Sequence, residues 1–322
     1  MEIMDIVVCT DKWFVMPTGV MMYSVCVNNP DVDIVFHIIV DDTVSAGDRH
    51  DLEEVVSSFD GKTVMFYAAN KEMLNRLFPA GQYRYDITKT TYYRLYIAEL
   101  LPKNIEKVLY LDGDVIVRHS LLPLWKMNIE QYAIVGAYDG LSGHLEFYDR
   151  LKYPAHLGYV NAGVLLINLH YWREHDVLKL FGEYMNEHSE DIKLHDQDVL
   201  NVVFCDKKLF FPLKYNLQHP FLWENCNEYD YRKLEAEVLE ARKDPVIVHY
   251  TSSFKPWKKY QRRPHPFRST FNKYQNQTKW KGVKTDNRSL KMRLVNFIAD
   301  TLRMLKLKSP WEYAYIDISP LD

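Results

Sequence analysis

The chain has 322 residues, of which 47% are hydrophobic, 26% charged and 14% aromatic; that is enough apolar mass for a large core, and it excludes disordered, collagen-like and mini-protein chains. The formal charge of −3 hides an asymmetry: residues 255–308 carry 16 Lys/Arg against 2 Asp/Glu, whereas residues 1–254 carry 24 against 38. The longest apolar runs, such as the one beginning at Val160, fall well short of the ~18 residues a membrane-spanning helix needs.

The N-terminus places Glu2 and Asp5 where a secretory signal carries Lys or Arg, which predicts a cytoplasmic protein. Cys9, Cys26, Cys205 and Cys226 are widely spaced without a C-x-x-C pattern, a distribution that suits reduced thiols better than disulfides or structural zinc.

In chain order, Asp5 to Thr10 reads as a strand, Asp11 to Pro17 as an interruption, and Thr18 to Asn28 as a helix. Strand signals recur at Ile34 to Val40 and Lys62 to Tyr67 around a helical stretch at Ala46 to Ser58, a spacing that favours parallel strands with crossover helices. The first third therefore reads as doubly wound. Thr88 to Leu100 is helix-compatible, and Lys107 to Leu111 is a short buried-type strand that runs straight into Asp112-Gly113-Asp114. Further strands are expected at Ala133 to Ala137, Val160 to Asn168, Leu209 to Pro212 and Val246 to Tyr250, with helices near Tyr171 to Glu187 and Asp196 to Cys205. From Phe254 onward prolines and alternating aromatic and basic residues end the sheet pattern. Ser289 to Lys308 then reads as a basic amphipathic helix with Leu290, Leu294, Phe297, Ile298, Leu302 and Leu305 on one face.

Asp112 and Asp114 are two apart, so in extended chain both carboxylates project to one side, and Gly113 allows close approach to the backbone. Such a pair suits Mg²⁺ or Mn²⁺, although a solvated turn explains the same residues. The strand before them delivers the pair to the carboxyl edge of a sheet, where open α/β proteins bind ligands. His249 closes another strand and offers a nitrogen ligand or a structural imidazole. Asp11 either accepts a ligand hydrogen bond or caps the next helix, and Asp196 likewise reads as a cap, whereas Gln197 has no capping duty. Asn161-Ala162-Gly163 hints at close ligand approach, with a bulge as the alternative for Gly163. The loop from His249 to Trp257 mixes hydroxyls with Lys255, a composition suited to diphosphate oxygens.

Taken together and in this order, these segments resemble the family 8 glycosyltransferases, the bacterial lipopolysaccharide galactosyl- and glucosyltransferases and their glycogenin-like relatives. The resemblance spans roughly residues 3–258 and rests on Ile6 to Asp11, Thr91 to Leu95, Tyr110 to Val115, Val160 to Asn168, His195 to Asn201 and His249 to Trp257. It implies a GT-A fold, the Rossmann-like α/β fold of nucleotide-diphospho-sugar transferases, over residues 1–258; residues 259–322 read from their own composition as a basic, aromatic-rich, mainly helical appendage with the amphipathic helix. It also implies a UDP-sugar donor and transfer with retention of anomeric configuration. On this resemblance Asp112, Asp114 and His249 would hold Mn²⁺ or Mg²⁺, and Asp11 with the Cys9-Thr10 backbone would meet uracil. Arg94 and Asp139 would meet the donor sugar region, Asn161 and Ala162 the sugar or ribose, Lys255 the diphosphate, Asp196 the sugar hydroxyls, and Gln197 the region of the anomeric carbon. Two departures matter. Lys12-Trp13-Phe14 replaces the Asp-Asn-Tyr of many relatives, which passes the aromatic cover of uracil to Phe14 or Trp13, and Ser252 stands where a diphosphate-contacting Gly is common.

The expected activity is hexose transfer, from a galactose or glucose donor to a saccharide or lipid-linked glycan. The basic tail suggests a peripheral contact with an anionic membrane. The competing class is a nucleic-acid-binding protein or metal-dependent nuclease using the same tail; the acidic balance of residues 1–254 opposes it, so no nucleic acid partner is expected.

Overall fold

The computed structural model describes residues 3–77, 89–140, 142–223, 234–252, 255–259, 264–286 and 288–307. Its strands are β1 (Ile3–Thr10), β2 (Asp33–Val40), β3 (Lys62–Ala68), β4 (Lys107–Leu111), β5 (Val115–Val117), β6 (Ile134–Tyr138), β7 (Val160–Asn168), β8 (Lys208–Phe210), β9 (Leu217–Gln218) and β10 (Ile247–His249). Its helices are α1 (Val15–Asn28), α2 (Ala46–Val56), α3 (Lys71–Leu77), α4 (Ile97–Leu100), α5 (Leu122–Trp125), α6 (Leu145–Leu151), α7 (Leu169–Glu174), α8 (Val177–Glu187), α9 (His195–Val203), α10 (Glu235–Lys243), α11 (Arg268–Gln275) and α12 (Leu290–Met304).

Seven strands form one sheet in the order β3-β2-β1-β4-β7-β6-β8, and β5-β10-β9 form a second. The first three strands are parallel, as their spacing predicts, and β4 continues that direction beside β1. Alternate residues of β1 enter opposite cores. Ile6 and Val8 face the side covered by α1 and α2, while Val7 and Cys9 face the side covered by residues 89–100, α8 and α9.

The direction that spacing did not reveal is that of β7, which runs antiparallel to both β4 and β6. Its first residues therefore lie at the same edge as the last residues of β1, β4 and β6. Thr10-Asp11, Asp112, Tyr138-Asp139 and Val160 to Gly163 meet there. Antiparallel pairing of β10 with β5 then sets His249 opposite Val115, next to Asp114. Sequence-distant polar residues are gathered by strand direction alone.

Several boundaries differ from expectation. Helix α1 starts at Val15 and takes in Pro17, because the first turn of a helix leaves its N–H groups unbonded and tolerates proline. The stretch expected as one helix from Thr88 is a 3₁₀ run at Lys89–Tyr96 followed by α4, and Thr88 lies outside the described residues. The helix expected over Tyr171 to Glu187 is two, divided where Asp176 takes a left-handed conformation with φ of 45°. Cys9, Cys26 and Cys205 are free thiols, the first two buried; Cys226 lies outside the described residues.

Helix α1 is apolar on nearly every face and buried at eleven of its fourteen residues, which requires cover on both sides. The sheet supplies one side. The segment 264–286 supplies the other: Phe267, Phe271 and Tyr274 join the same core, Trp280 rests on Gly19 where a Cβ would come within 2.1 Å of its ring, and Tyr274 Oη accepts a hydrogen bond from Asn28 Nδ2 at 2.9 Å. Packing thus continues past residue 258, where composition changes.

Helix α12 is different. Ser289 Oγ caps it by accepting from the N–H of Met292, and Ala299 is its buried residue. The six residues of the expected apolar face are 36–81% exposed, and Met292, Val295 and Met304 are exposed as well.

Replacing Phe271 with Ala should cost about 3–5 kcal/mol, the range for emptying an aromatic site in a core. A chain ending at Lys258 should fail to fold cooperatively, whereas one ending at Asn287 should melt within a few degrees of the full chain. Calorimetric melting of the three proteins checks both statements.

Candidate active site

The strand ends open onto a cavity of about 200 Å³ lined by Cys9, Thr10, Asp11, Phe14, Thr90, Thr91, Arg94, Tyr110, Asp112, Gly113 and Asp114. Asp11 Oδ1 accepts from the N–H groups of Trp13 and Phe14 at 2.8 and 3.2 Å, so it does organise the turn into α1, while the residue also faces the cavity. Burial pushes its carboxyl above the usual range, with those two N–H groups opposing. Phe14 packs edge-on against Trp257 with ring centroids 6.0 Å apart. Trp13 is 63% exposed and is not in that cavity wall. Gly113 is needed for packing as well as access, since a Cβ there would meet Thr18 Oγ1 of α1 at 2.5 Å.

Asp112, Asp114 and His249 converge, with ligand atoms all within 4.8 Å of one another. Each keeps one ligand atom aimed at the centre because its other polar atom is already occupied. Asp112 Oδ1 accepts from Tyr110 Oη at 2.8 Å and Arg94 Nη2 at 3.0 Å, which leaves Oδ2. Lys255 Nζ donates to Asp114 Oδ2, which leaves Oδ1. His249 Nδ1 pairs with Asn216 Oδ1 at 2.9 Å, which leaves Nε2, 3.3 Å from Asp114 Oδ1 and 3.7 Å from Asp112 Oδ2. Two carboxylate oxygens and an imidazole nitrogen fit Mn²⁺, and Mg²⁺ less closely.

Gly163 belongs to this group. A Cβ there would fall 2.1 Å from His249 Cε1 and 2.7 Å from Asp112 Oδ2, so the imidazole occupies the space a side chain would take. The bulge reading holds beside this one: between the Gly136–Leu165 and Tyr138–Val160 pairs, β7 has the four residues Asn161 to Val164 where β6 has only Ala137, whereas pairing with β4 is regular as far as Val164.

Beside the carboxylates sits Arg94, 6% exposed and stacked 4.5 Å over Tyr110. Burial opposes its charge, yet Asp112 and Asp196 more than hold it. Asp196 lies 2.9 Å from Arg94 Nε and does not cap α9, whose N-cap is Leu194. The N–H groups of Lys193 and Leu194 are instead accepted by Asp198 Oδ2, which also pairs with Arg150. His195, between them, takes φ of 54°, a conformation costly for a non-glycine residue. Burial pushes the Asp196 carboxyl up to about 6 despite Arg94.

A third group is amide-rich. Gln197 Oε1 accepts from the N–H of Ala162 at 3.0 Å and faces Asn161 Nδ2 at 3.3 Å, while Gln197 Nε2 and Asn161 Nδ2 donate to Asp139 Oδ2 at 3.2 and 2.8 Å. Ser252 lies half-buried beyond β10. The structure thus brings the expected residues to one sheet edge, and adds Tyr110, Thr90, Thr91 and Asn216. The available signal for Asn216 is an amide between Leu213 and Leu217, both of which are buried.

The model for glycosyl transferase family 8 matches residues 5–261. The chain belongs to that family. Within the likeness, General stress protein A of Bacillus subtilis (strain 168) is 28% identical over 293 residues, 88% of this chain and 96% of that protein. Lipopolysaccharide 1,3-galactosyltransferase of Salmonella typhimurium (strain LT2) is 28% identical over 254 residues, covering 77% and 71% of the two chains. The solved structure of galactosyltransferase LgtC with donor and acceptor sugar analogs matches at a TM-score of 0.75 and 25% identity, over 90% of this chain and 99% of that one. The family 8 chain therefore has the GT-A fold and is a glycosyltransferase, and nothing in these likenesses favours nucleic-acid binding.

Because Asp196 ionises less readily folded than unfolded, its contribution to stability is intact below about pH 4 and is lost as pH rises towards 6, by roughly 3 kcal/mol. Relative to wild type, Asp196→Asn should therefore gain stability by about that amount between pH 4 and 7. Denaturant melts across that range test the sign; a difference that stays constant contradicts the assignment.

Proposed function

We propose that the chain is a metal-dependent, retaining hexosyltransferase that moves galactose or glucose from a UDP-sugar to a saccharide or lipid-linked glycan, in the synthesis of a cell-surface or lipopolysaccharide-type polysaccharide. The observation that carries this is the convergence of Asp112 Oδ2, Asp114 Oδ1 and His249 Nε2, with both aspartates in the wall of a cavity that reaches Asp11. The names of the relatives support the substrate class.

In this reading those three atoms hold Mn²⁺ or Mg²⁺, which when bound neutralises charge growing on the diphosphate. Asp11, the Cys9-Thr10 backbone and Phe14 receive the uridine. Lys255 exchanges its contact with Asp114 for the diphosphate oxygens, and Ser252 lies beside that path. Arg94, Asp139, Asn161, Ala162 and Asp196 orient the sugar. Gln197 is a poor nucleophile, being an amide whose oxygen already accepts two N–H groups. We favour attack on the face from which the diphosphate leaves: the anomeric carbon–phosphate oxygen bond breaks, a bond to the acceptor hydroxyl oxygen forms, and the hydroxyl proton passes to the departing phosphate. Retention then needs no second carboxylate, unlike retaining hydrolases.

The catalytic unit of this reading is residues 1–258 together with the packed part of the appendage, and α12 is its membrane-facing element. No helix among the described residues is long and apolar enough to cross a membrane. An exposed apolar face in a helix that also carries exposed Lys291 and Arg293 supports peripheral binding to an anionic leaflet, which would place the enzyme at the inner face of the cell membrane, next to a lipid-linked acceptor.

UDP release from UDP-galactose or UDP-glucose should require Mn²⁺ and disappear in His249→Ala, and Lys255→Ala should lower kcat by about 10²–10³, the scale for losing one charge-stabilising donor. Turnover that ignores both chelator and His249→Ala would remove the metal from the reading. In a separate sedimentation assay with phosphatidylglycerol vesicles, the full chain should pellet and a chain ending at Asn287 should stay in solution; equal partitioning of the two excludes α12 as the anchor.

A further inference from the structure

Behind the ligand atoms lies Asn216, fully buried between the 3₁₀ turn at Leu213–Tyr215 and β9. Both ends of its carboxamide are used. Asn216 Oδ1 pairs with His249 Nδ1 at 2.9 Å, and Asn216 Nδ2 donates to Asn161 Oδ1 at 3.0 Å. Asn161 Oδ1 also accepts from the N–H of Gly163 at 3.0 Å, and Asn161 Nδ2 donates to Asp139 Oδ2 at 2.8 Å.

The direction of every bond in this chain is forced from its far end. A backbone N–H only donates, so Gly163 requires the oxygen of Asn161, and the Asp139 carboxylate receives the Asn161 NH₂ at the other side. The Asn161 oxygen in turn requires the NH₂ of Asn216; a flipped Asn216 would set two acceptor oxygens 3.0 Å apart. That leaves the Asn216 oxygen facing His249. An amide oxygen cannot donate, so His249 Nδ1 must carry a proton, and Nε2 is the nitrogen left for a cation between Asp112 and Asp114 or, without one, for a proton shared with Asp114.

We propose that Asn216 is a positioning residue: it keeps the proton of His249 on Nδ1, the arrangement that frees Nε2 to ligate a cation, and it ties that imidazole to the Asp139–Asn161–Gln197 group on the sugar side. The proposal rests on reading Asp112, Asp114 and His249 as a metal centre. Outer partners of this kind orient a ligating histidine and are worth about 10–100-fold in metal affinity or activity. Here the partner is an amide with two ends, so a shift in one group is felt by the other.

Two variants separate the two ends. Asn216→Ala removes both contacts. Asn216→Asp keeps an acceptor for the His249 N–H and removes the donor to Asn161. In the full-length chain with UDP, Mn²⁺ affinity read by electron paramagnetic resonance of the free ion should fall about 10–100-fold in Asn216→Ala. In Asn216→Asp it should stay within about threefold of wild type, while kcat at saturating Mn²⁺ falls about tenfold or more with little change in donor KM. Variants that only lower the melting temperature, with Mn²⁺ affinity and kcat per folded molecule unchanged, would overturn the proposal by showing a merely structural residue.

Nitrogen-15 NMR of the histidine-labelled, metal-free wild type decides the tautomer without relying on any variant folding. The His249 ring signals, identified by their loss in His249→Gln, should show a protonated Nδ1, and a bare Nδ1 beside a protonated Nε2 overturns the proposal. A wild-type chain that shows this tautomer and binds no Mn²⁺ would sink the metal reading and the ligating role with it, while a chain that binds Mn²⁺ with the opposite tautomer would sink the positioning role alone.

Discussion

Two carboxylates and an imidazole share a largely buried site at the wall of a cavity, and the rest of the active edge is arranged around that electrostatic problem. Burial raises the cost of each charge, and like charges a few ångströms apart raise it further. The chain answers with fixed cations. Arg94 lies between Asp112 and Asp196, and Lys255 sits on Asp114, whose carboxyl it and His249 hold well below the usual range although burial pulls the other way. Each carboxylate is half-neutralised by protein and half-open, which is the balance that the proposed divalent ion and donor would complete. Tyr110 and Asn216 add the geometric part by occupying the atoms that must not point inward.

Strand direction makes that gathering possible. If β7 ran parallel to β4, Asn161 and Gly163 would sit at the opposite edge of the sheet, and neither the amide group nor the space for His249 would exist. The second sheet matters for the same reason: three residues of β10 paired with three of β5 place a side chain from position 249 beside one from position 114. Short strands suffice because the register, not the length, carries the information.

Much of this was legible in the residues. The β1 and β4 runs end in polar residues, Asp112-Gly113-Asp114 arrives at a strand end, His249 closes an apolar triplet, and the ordered set of segments resembles a known family. What stayed hidden is non-local. The direction of β7 depends on its neighbours, and Asp176 splits a helix whose apolar pattern continues across the break. Asp11 turned out to be both a turn-former and a cavity residue, a pair of roles that one side chain can fill and that a sequence presents as alternatives. Gly163 reads as a strand irregularity and is one, but its second role stays hidden because the imidazole that fills its space comes from 86 residues further along the chain.

Helix α1 is built from the opening of the chain, yet its outer face is closed by Phe271, Tyr274 and Trp280, with Asn28 and Tyr274 separated by 246 residues. At ribosomal rates of about 5–20 residues per second, that apolar surface waits on the order of 10–50 s for its cover. That surface is therefore uncovered for most of synthesis, and α12 leaves the ribosome only after the segment that seals the fold. Synthesis order thus delivers a finished enzyme before it delivers the element proposed to hold it at a bilayer.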